Sequence, residues 1–255
     1  MLLLPTALSI KKISNSNTVK EYIVENIKIY NSVYMYINSN MYMIIRDNEA
    51  LVIDPHENKD LLLLLLSNDV REVTILLTHE HPDHISGIFW LQEHFDCILI
   101  CQQCCANYIS NPKNVRPILI SFVLDERDRI NETHFLEQFN SNYVMHTYNA
   151  DVTFEETLYY EWKKHLLEFY HIQGHSKGSC FIVLDKTVAF TGDSLMKDDP
   201  IITRFPGGNR KVYQTETLPL LEKTLNADMT ILPGHGTPFI VNEIIKEGKL
   251  NVQFR

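Results

Sequence analysis

Three histidines and an aspartate fall within six positions of the segment Thr78-His79-Glu80-His81-Pro82-Asp83-His84, directly after the apolar run Val73-Thr74-Ile75-Leu76-Leu77. Neutral imidazoles and a carboxylate are the ligands that borderline divalent ions such as Zn²⁺ prefer, and a buried strand that stops in a sharp turn lets alternate side chains converge on one point. With 11 His in 255 residues, independent placement would give a His-x-His-x-Asp-His string in roughly one chain in a thousand. The string therefore reads as a metal site.

Three more ligand candidates stand in similar settings. His175 follows the strand-like stretch 167–172 and sits in Gln173-Gly174-His175-Ser176-Lys177-Gly178-Ser179; Asp193 ends Val188-Ala189-Phe190-Thr191-Gly192; His235 ends Met229-Thr230-Ile231-Leu232-Pro233-Gly234. Each appears where an apolar run stops, and α/β sheets carry their ligand-binding groups at the carboxyl ends of strands. Six of the nine glycines lie within five positions of one of these ligands, where tight turns and close backbone approach need a residue without Cβ. Four clusters of one composition argue for a single site assembled from distant parts of the chain.

From about residue 25 to about residue 238 the chain resembles the metallo-β-lactamase superfamily, in its glyoxalase-II-like branch, and the signatures occur in order: Asp54 in Ala50-Leu51-Val52-Ile53-Asp54-Pro55, the His79–His84 string, His175, Asp193 and His235. The resemblance implies an α/β fold, an αββα sandwich with the metal site at the edge between its two sheets. It implies two divalent metal ions: His79, His81 and His175 on the first, Asp83, His84 and His235 on the second, Asp193 bridging, with Asp54 orienting the loop from behind. Zn is the expected metal, and the same ligands accept Fe or Mn. Two cations, two carboxylates and a bridging hydroxide leave a net charge of about +1. That arrangement generates hydroxide near neutral pH and polarises a substrate oxygen, so no protein nucleophile is required. Asp83 is the candidate to take or relay the proton of the attacking water.

Composition agrees with a soluble enzyme of one domain, since 255 residues with 45% hydrophobic content can bury a large core. A net charge of −9 without any run of four basic residues argues against nucleic acid as substrate, leaving a small molecule. The opening Met1-Leu2-Leu3-Leu4-Pro5 is too short for a signal segment, and the leucine block 61–66 is far below membrane-spanning length. The cytoplasm is the expected location, and the sequence leaves the oligomeric state open. Cys101-Gln102-Gln103-Cys104-Cys105 has a C-x-x-C spacing but no second cysteine pair, and its thiols read as small apolar residues rather than a zinc or redox site.

The elements that position these groups follow from periodicity. Strands are expected at 30–37, 41–45, 51–53, 73–77 and 97–101, with helices at 59–66, 83–94 and 103–110; hairpins at 158–162/166–172 and 180–184/188–191 open a second half, followed by a helix 217–225, a strand 229–232 and a last helix 241–246. Between the halves, 91 positions separate His84 from His175, which marks 111–154 as an insertion. It contains the apolar stretch 117–124, a charged turn 125–129 and an amphipathic helix 133–139. Its role is either a lid over the metals or a surface elaboration packed away from them.

Substrate contacts are less defined. His56, two positions after Asp54, is near enough in sequence to reach the cleft, and Arg204 and Arg210 in the loop 202–210 are candidates for a substrate carboxylate. His94, His134, His146 and His165 read as solvated, and His171 as a core or supporting residue. Twenty residues follow His235, which leaves no room for the C-terminal helical domain of full-length glyoxalase II and weighs against glutathione thioesters. Three functions compete: a dinuclear hydrolase of a thioester, lactone or related small acyl substrate; a mononuclear iron persulfide dioxygenase; and a non-catalytic ligand-binding member of the fold.

Overall fold

The computed structural model describes residues 9–12, 19–131 and 133–255; the segment 1–5 weighed above as a leader lies outside them. Strands Ser9–Lys12 (β1), Val19–Val24 (β2), Ile27–Val33 (β3), Asn40–Arg46 (β4), Glu49–Ile53 (β5), Glu72–Leu76 (β6), Asp96–Gln102 (β7) and Val152–Phe154 (β8) form one sheet in which each strand pairs with its sequence neighbour. Pairing is antiparallel through β5 and parallel from β5 to β8. The second sheet runs Phe239–Ile240 (β14), Thr230–Pro233 (β13), Val188–Gly192 (β12), Cys180–Leu184 (β11), His165–His171 (β10) and Thr157–Trp162 (β9), with only β12 and β13 parallel.

Helices Lys59–Ser67 (α1), Pro82–Ile85 (α2), Ile88–Gln92 (α3) and Gln103–Ile109 (α4) follow the parallel strands. Strand alternation sorts the side chains into layers. Ala50, Val52, Val73 and Ile75 pack against Leu61, Leu65, Ile88, Leu91 and Ile109 of the helices, whereas Leu51, Ile53 and Leu76 meet Phe169, Ile182 and Phe190 of the other sheet. Ala189 and Ile231, on that sheet's far face, pack on Tyr213 and Leu221. Burial on both faces explains why these strands read as unbroken apolar runs, and the result is the αββα sandwich. The leucine block forms one face and part of the flank of α1: Leu61 and Leu65 are buried while Leu63 and Leu66 are exposed. Asn58 caps that helix by accepting from the amides of Asp60 and Leu61.

Several sequence expectations need correction. The helix expected at 83–94 is two short helices, α2 and α3, separated by Gly87, whose amide donates to the Pro55 carbonyl at 2.8 Å. The expected charged turn 125–129 lies inside a helix, Ile118–Asn131 (α5), where Arg129 and Asp125 pair one turn apart. Asp128 of α5 accepts from the amides of Phe135 and Leu136 and so starts Phe135–Asn142 (α6), two residues later than the helix expected at 133–139. The helix expected at 217–225 begins earlier, as Arg210–Val212 (α7), widens into a π-turn over Tyr213–Thr217 and continues as Leu218–Thr224 (α8). Pro219 lacks the amide that an α-turn there requires. Residues 241–244 form only a 3₁₀ turn, followed by a two-stranded ribbon. The first long strand ends at Val33 rather than 37, because Tyr34–Ser39 closes a turn, and β8 was not read from the sequence.

The inserted segment has its own small core. Ile120 and Leu124 of α5 and Phe139 of α6 pack on Tyr36 in that turn, and Arg127 hydrogen-bonds the Tyr36 carbonyl. The far end of the same turn carries Ser39, which bridges His235.

Candidate metal centre

Strands β5, β6, β10, β12 and β13 all end on one edge of the sandwich, and the predicted ligands sit in the loops that follow β6, β10, β12 and β13, with Asp54 after β5. His79, His81, His175 and Asp193 bring one ligand atom each into a single cluster, and Asp83, His84 and His235 form a second. The carboxylate of Asp193 lies between the two: its oxygens are 3.5 Å from His175 Nε2, 3.4 Å from His84 Nε2 and 3.5 Å from His235 Nε2. Asp83 Oδ2 stands 3.2 Å from His84 Nε2 and 3.4 Å from His235 Nε2. All seven side chains expected from the sequence are brought together. His235, with a side chain 22% exposed, is the most open of those in the second cluster.

Hydrogen bonds to the far side of each ring decide which nitrogen is left free. Asp54 accepts from the Thr78 amide at 2.7 Å and from its hydroxyl at 2.6 Å, and also faces His84 Nδ1 at 2.9 Å. His84 therefore carries its proton on Nδ1 and presents a bare Nε2. Having donated to Asp54, the Thr78 hydroxyl accepts from His79 Nδ1 at 3.1 Å, which frees His79 Nε2. His175 Nδ1 donates to the Ile202 carbonyl at 2.8 Å, freeing its Nε2. The bare nitrogens of His79 and His175 then stand 3.3 Å apart, and His81 Nδ1 is 3.0 Å from each. Lone pairs aimed at one another repel unless a cation lies among them.

Electrostatics point the same way. Burial, and after it the rings of His84, His81 and His175, hold the His79 pKa well below the usual imidazole value; burial and His175 hold His81 near 3. These rings stay neutral, as ligands must. Burial also works to lower His84, but the carboxylates of Asp83, Asp193 and Asp54 overcome it and raise that pKa well above the usual value. Burial would raise Asp83, and His84 and His235 pull it well below. The second cluster thus attracts positive charge, which a divalent cation supplies by displacing a proton. Asp83 Oδ2, His84 Nε2 and Asp193 Oδ1 are buried with no hydrogen-bond partner of acceptable geometry, the signature of groups built for another ligand. The residues fit a divalent metal.

Some supporting residues escaped sequence reading. Glu80, buried between two ligands, accepts from the Ser176 hydroxyl at 3.0 Å and the Gly178 amide at 3.2 Å, tying the His79–His84 loop to the loop of His175. Asn40 donates to the Pro233 and Gly236 carbonyls, both at 3.0 Å, and positions His235. Two glycines are required by contact: a Cβ at Gly234 would run into Asp193 Oδ1, and one at Gly192, whose φ is +49°, would run into the Thr78 hydroxyl. The His-x-His-x-Asp-His string itself gives no hint of Glu80, because an acid between two ligands reads as solvated until the other loop is placed beside it. Asp54 is itself at φ 51°, a left-handed conformation that aspartate tolerates better than most residues.

The remaining candidates fall elsewhere. His56 is buried, but its ring packs on Tyr34 rather than joining the ligands. Arg204 is exposed, and its neighbour Phe205 meets the His81 ring. Arg210 lies over the Phe254 ring at 4.6 Å. His171 meets the Lys177 carbonyl through Nε2. Of the cysteines at 101–105, Cys101 and Cys105 belong to the helix–sheet core, where burial pushes the Cys105 thiol well up, whereas Cys104 of the C-x-x-C spacing is exposed.

An αββα sandwich with this cluster at its strand ends defines a metal-dependent hydrolase. The sequence profile of the metallo-beta-lactamase superfamily matches residues 36–235, and the chain belongs to that superfamily. Among curated relatives, the hydroxyacylglutathione hydrolase GloC of Haemophilus influenzae is 27% identical over 197 residues, which is 75% of this chain and 82% of that protein. The fold is shared with the BLEG-1 B3 metallo-beta-lactamase (TM-score 0.62, 22% identity, 84% of this chain and 95% of that one). ETHE1 from Myxococcus xanthus shares it as well, with a TM-score of 0.61, 18% identity, and coverage of 88% of this chain and 82% of that one.

Proposed function

We propose that the protein uses two divalent metal ions, Zn in the first instance, to hydrolyse a small acyl substrate: a thioester, a lactone or a related ester. His79, His81 and His175 would hold one ion, Asp83, His84 and His235 the other, and Asp193 both. The observation that carries this reading is the pair of adjoining ligand clusters around one carboxylate. Ions bound there would supply Lewis acidity and an activated water. The chain's own part is to fix ring tautomers through Asp54, Thr78 and the Ile202 carbonyl, and to keep His79 and His81 neutral by burial. Asp83, held anionic by His84 and His235, would take the proton of the attacking water on its carboxylate. The acyl specificity is supported by the hydroxyacylglutathione hydrolase relative.

The second cluster of Asp83, His84 and His235 supports two ions rather than the single one of a mononuclear iron dioxygenase. No helix among the described residues is long and apolar enough to cross a membrane, and all five cysteines are free, which supports action in the reducing cytoplasm. Metal analysis of protein purified without added metal, paired with an acyl-substrate panel and an oxygen electrode, tests the proposal. Two metals per chain and acyl turnover without oxygen uptake are expected; a single iron with oxygen uptake on a persulfide would overturn it.

A further inference from the structure

Asp54 and Thr78, which fix the rings of His84 and His79, stand directly after central strands. His175 relies instead on the carbonyl of Ile202, 2.8 Å from its Nδ1, in a loop outside both sheets. That loop is aligned by a distant segment, Gln253-Phe254-Arg255. Ile201 forms an isolated parallel bridge with Phe254: its amide donates to the Gln253 carbonyl at 2.7 Å, and its carbonyl accepts from the Arg255 amide at 3.0 Å. The Thr203 amide donates to the Arg255 carbonyl at 3.4 Å. Backbone groups of successive residues in extended chain point to opposite sides. With residues 201 and 203 facing the segment 253–255, residue 202 turns its carbonyl the other way, onto His175.

A second route reaches the same ligand through Phe254. Its ring meets that of Tyr213 edge-on, with 5.2 Å between centroids and 85° between planes, and the Arg210 guanidinium lies 4.6 Å from its centre. Tyr213 is fully buried and packs so closely on Gly174 that a Cβ there would collide with it. The Tyr213 hydroxyl donates to the Ser194 carbonyl. Gly174 precedes His175, and Ser194 follows Asp193, so one side chain braces the loops of two ligands.

We propose that the segment 253–255 is a strap that positions the metal centre, with Phe254 as its positioning residue. By pairing with 201–203 and packing on Tyr213, it aims the Ile202 carbonyl and thereby keeps the His175 proton on Nδ1. Without that acceptor the proton can move to Nε2 and block the lone pair that a metal needs. Loss of the strap therefore weakens an ion at His79, His81 and His175 more than one at Asp83, His84 and His235, where Asp54 and Asn40 do the positioning. The proposal rests on the metal reading above.

The test compares the full chain with Phe254→Ala, Phe254→Tyr, Arg255→Pro and Leu225→Ala. The last removes a buried side chain of the same apolar cluster and serves as a packing control. Imidazole nitrogens are followed by nitrogen-15 NMR without metal, with His175 assigned from His175→Gln, and Zn²⁺ is then titrated against a chromogenic chelator. Wild type should show His175 protonated on Nδ1 alone. Phe254→Ala should mix the two tautomers and weaken one of two Zn²⁺ steps about tenfold, while the other step still shifts the His235 nitrogens. Arg255→Pro, which removes only the amide that donates to Ile201, should act in the same direction to a smaller degree, and decides the matter if Phe254→Ala does not fold. Phe254→Tyr keeps the ring and should restore wild-type behaviour; Leu225→Ala should lower thermal stability and change neither readout. An unchanged His175 tautomer in both strap variants, equal weakening of both Zn²⁺ steps, or the same changes in Leu225→Ala would overturn the proposal. A wild-type chain that takes up no Zn²⁺ faults the metal reading, and the tautomer comparison, made without metal, still decides the strap.

Discussion

The ligand cluster and the inserted segment 111–154 are held in place by different means. The ligands hang from the ends of strands buried on both faces, and their rings are fixed from behind by Asp54, Thr78, Glu80 and Asn40 through contacts of 2.6–3.2 Å. The insertion has one small cluster of its own, around Tyr36, Ile120, Leu124 and Phe139, and joins the sandwich at its two ends through Val115, Tyr148 and β8. It leaves Ile118, Phe122, Ile130 and Val144 more than 60% exposed. The ligand cluster is thus over-determined by the core, while the helices α5 and α6 of the insertion are attached more lightly. A scaffold of this kind can alter its insertion without disturbing the cluster.

The largest effect is expected at the cluster. Asp193→Asn removes the charge shared by both ligand groups and should cut turnover by about a thousandfold or more. The strand before it stays packed, so thermal unfolding should shift by only a few degrees. Near wild-type rates with two metals bound would mean that Asp193 does not bridge.

Next comes the insertion's own core. Phe139→Ala should cost that cluster about 3–5 kcal/mol, visible as faster amide exchange across α5 and α6. Metal stoichiometry should not change. Loss of metal in this variant would abolish the distinction between the two regions.

His56 lies where the regions meet, and its effect depends on pH. Folded, it takes its proton only near pH 4, against 6.5 for an ordinary histidine. Between those values the unfolded chain binds the extra proton, so stability falls as pH drops from about 6.5 to about 4 and levels off below, for a total of about 3 kcal/mol. His56→Gln should flatten that slope relative to wild type in denaturant titrations at each pH. An unchanged slope would mean that the imidazole is not buried as described.

The smallest effect is expected from Thr78→Val, which keeps shape but removes the hydroxyl between Asp54 and His79. Metal affinity should fall about tenfold, measured by chelator competition, with stability of the insertion unaffected.

The residues of the cluster were legible in the sequence because they stand at the ends of apolar runs, and a strand end converts spacing along the chain into convergence in space. The layers were legible for the same reason: alternation on 50–53 and 73–77 sorts side chains between two faces. The expected charged turn at 125–129 misled, since Asp125 and Arg129 are as compatible with an exposed helix face as with a loop, and only packing of Ile120 and Leu124 on Tyr36 selects the helix. Glu80 and Thr78 carry no periodic signal at all. Their roles appear only when Ser176 and Gly178, nearly a hundred positions away, are brought against one, and Asp54 and His79 against the other. Which residues gather at the cluster is thus a matter of residue type and position at strand ends, and the sequence by itself determined it. Ring tautomers and the pairing of 201–203 with 253–255 depend on distances between segments far apart in the chain, and tertiary structure alone decided them.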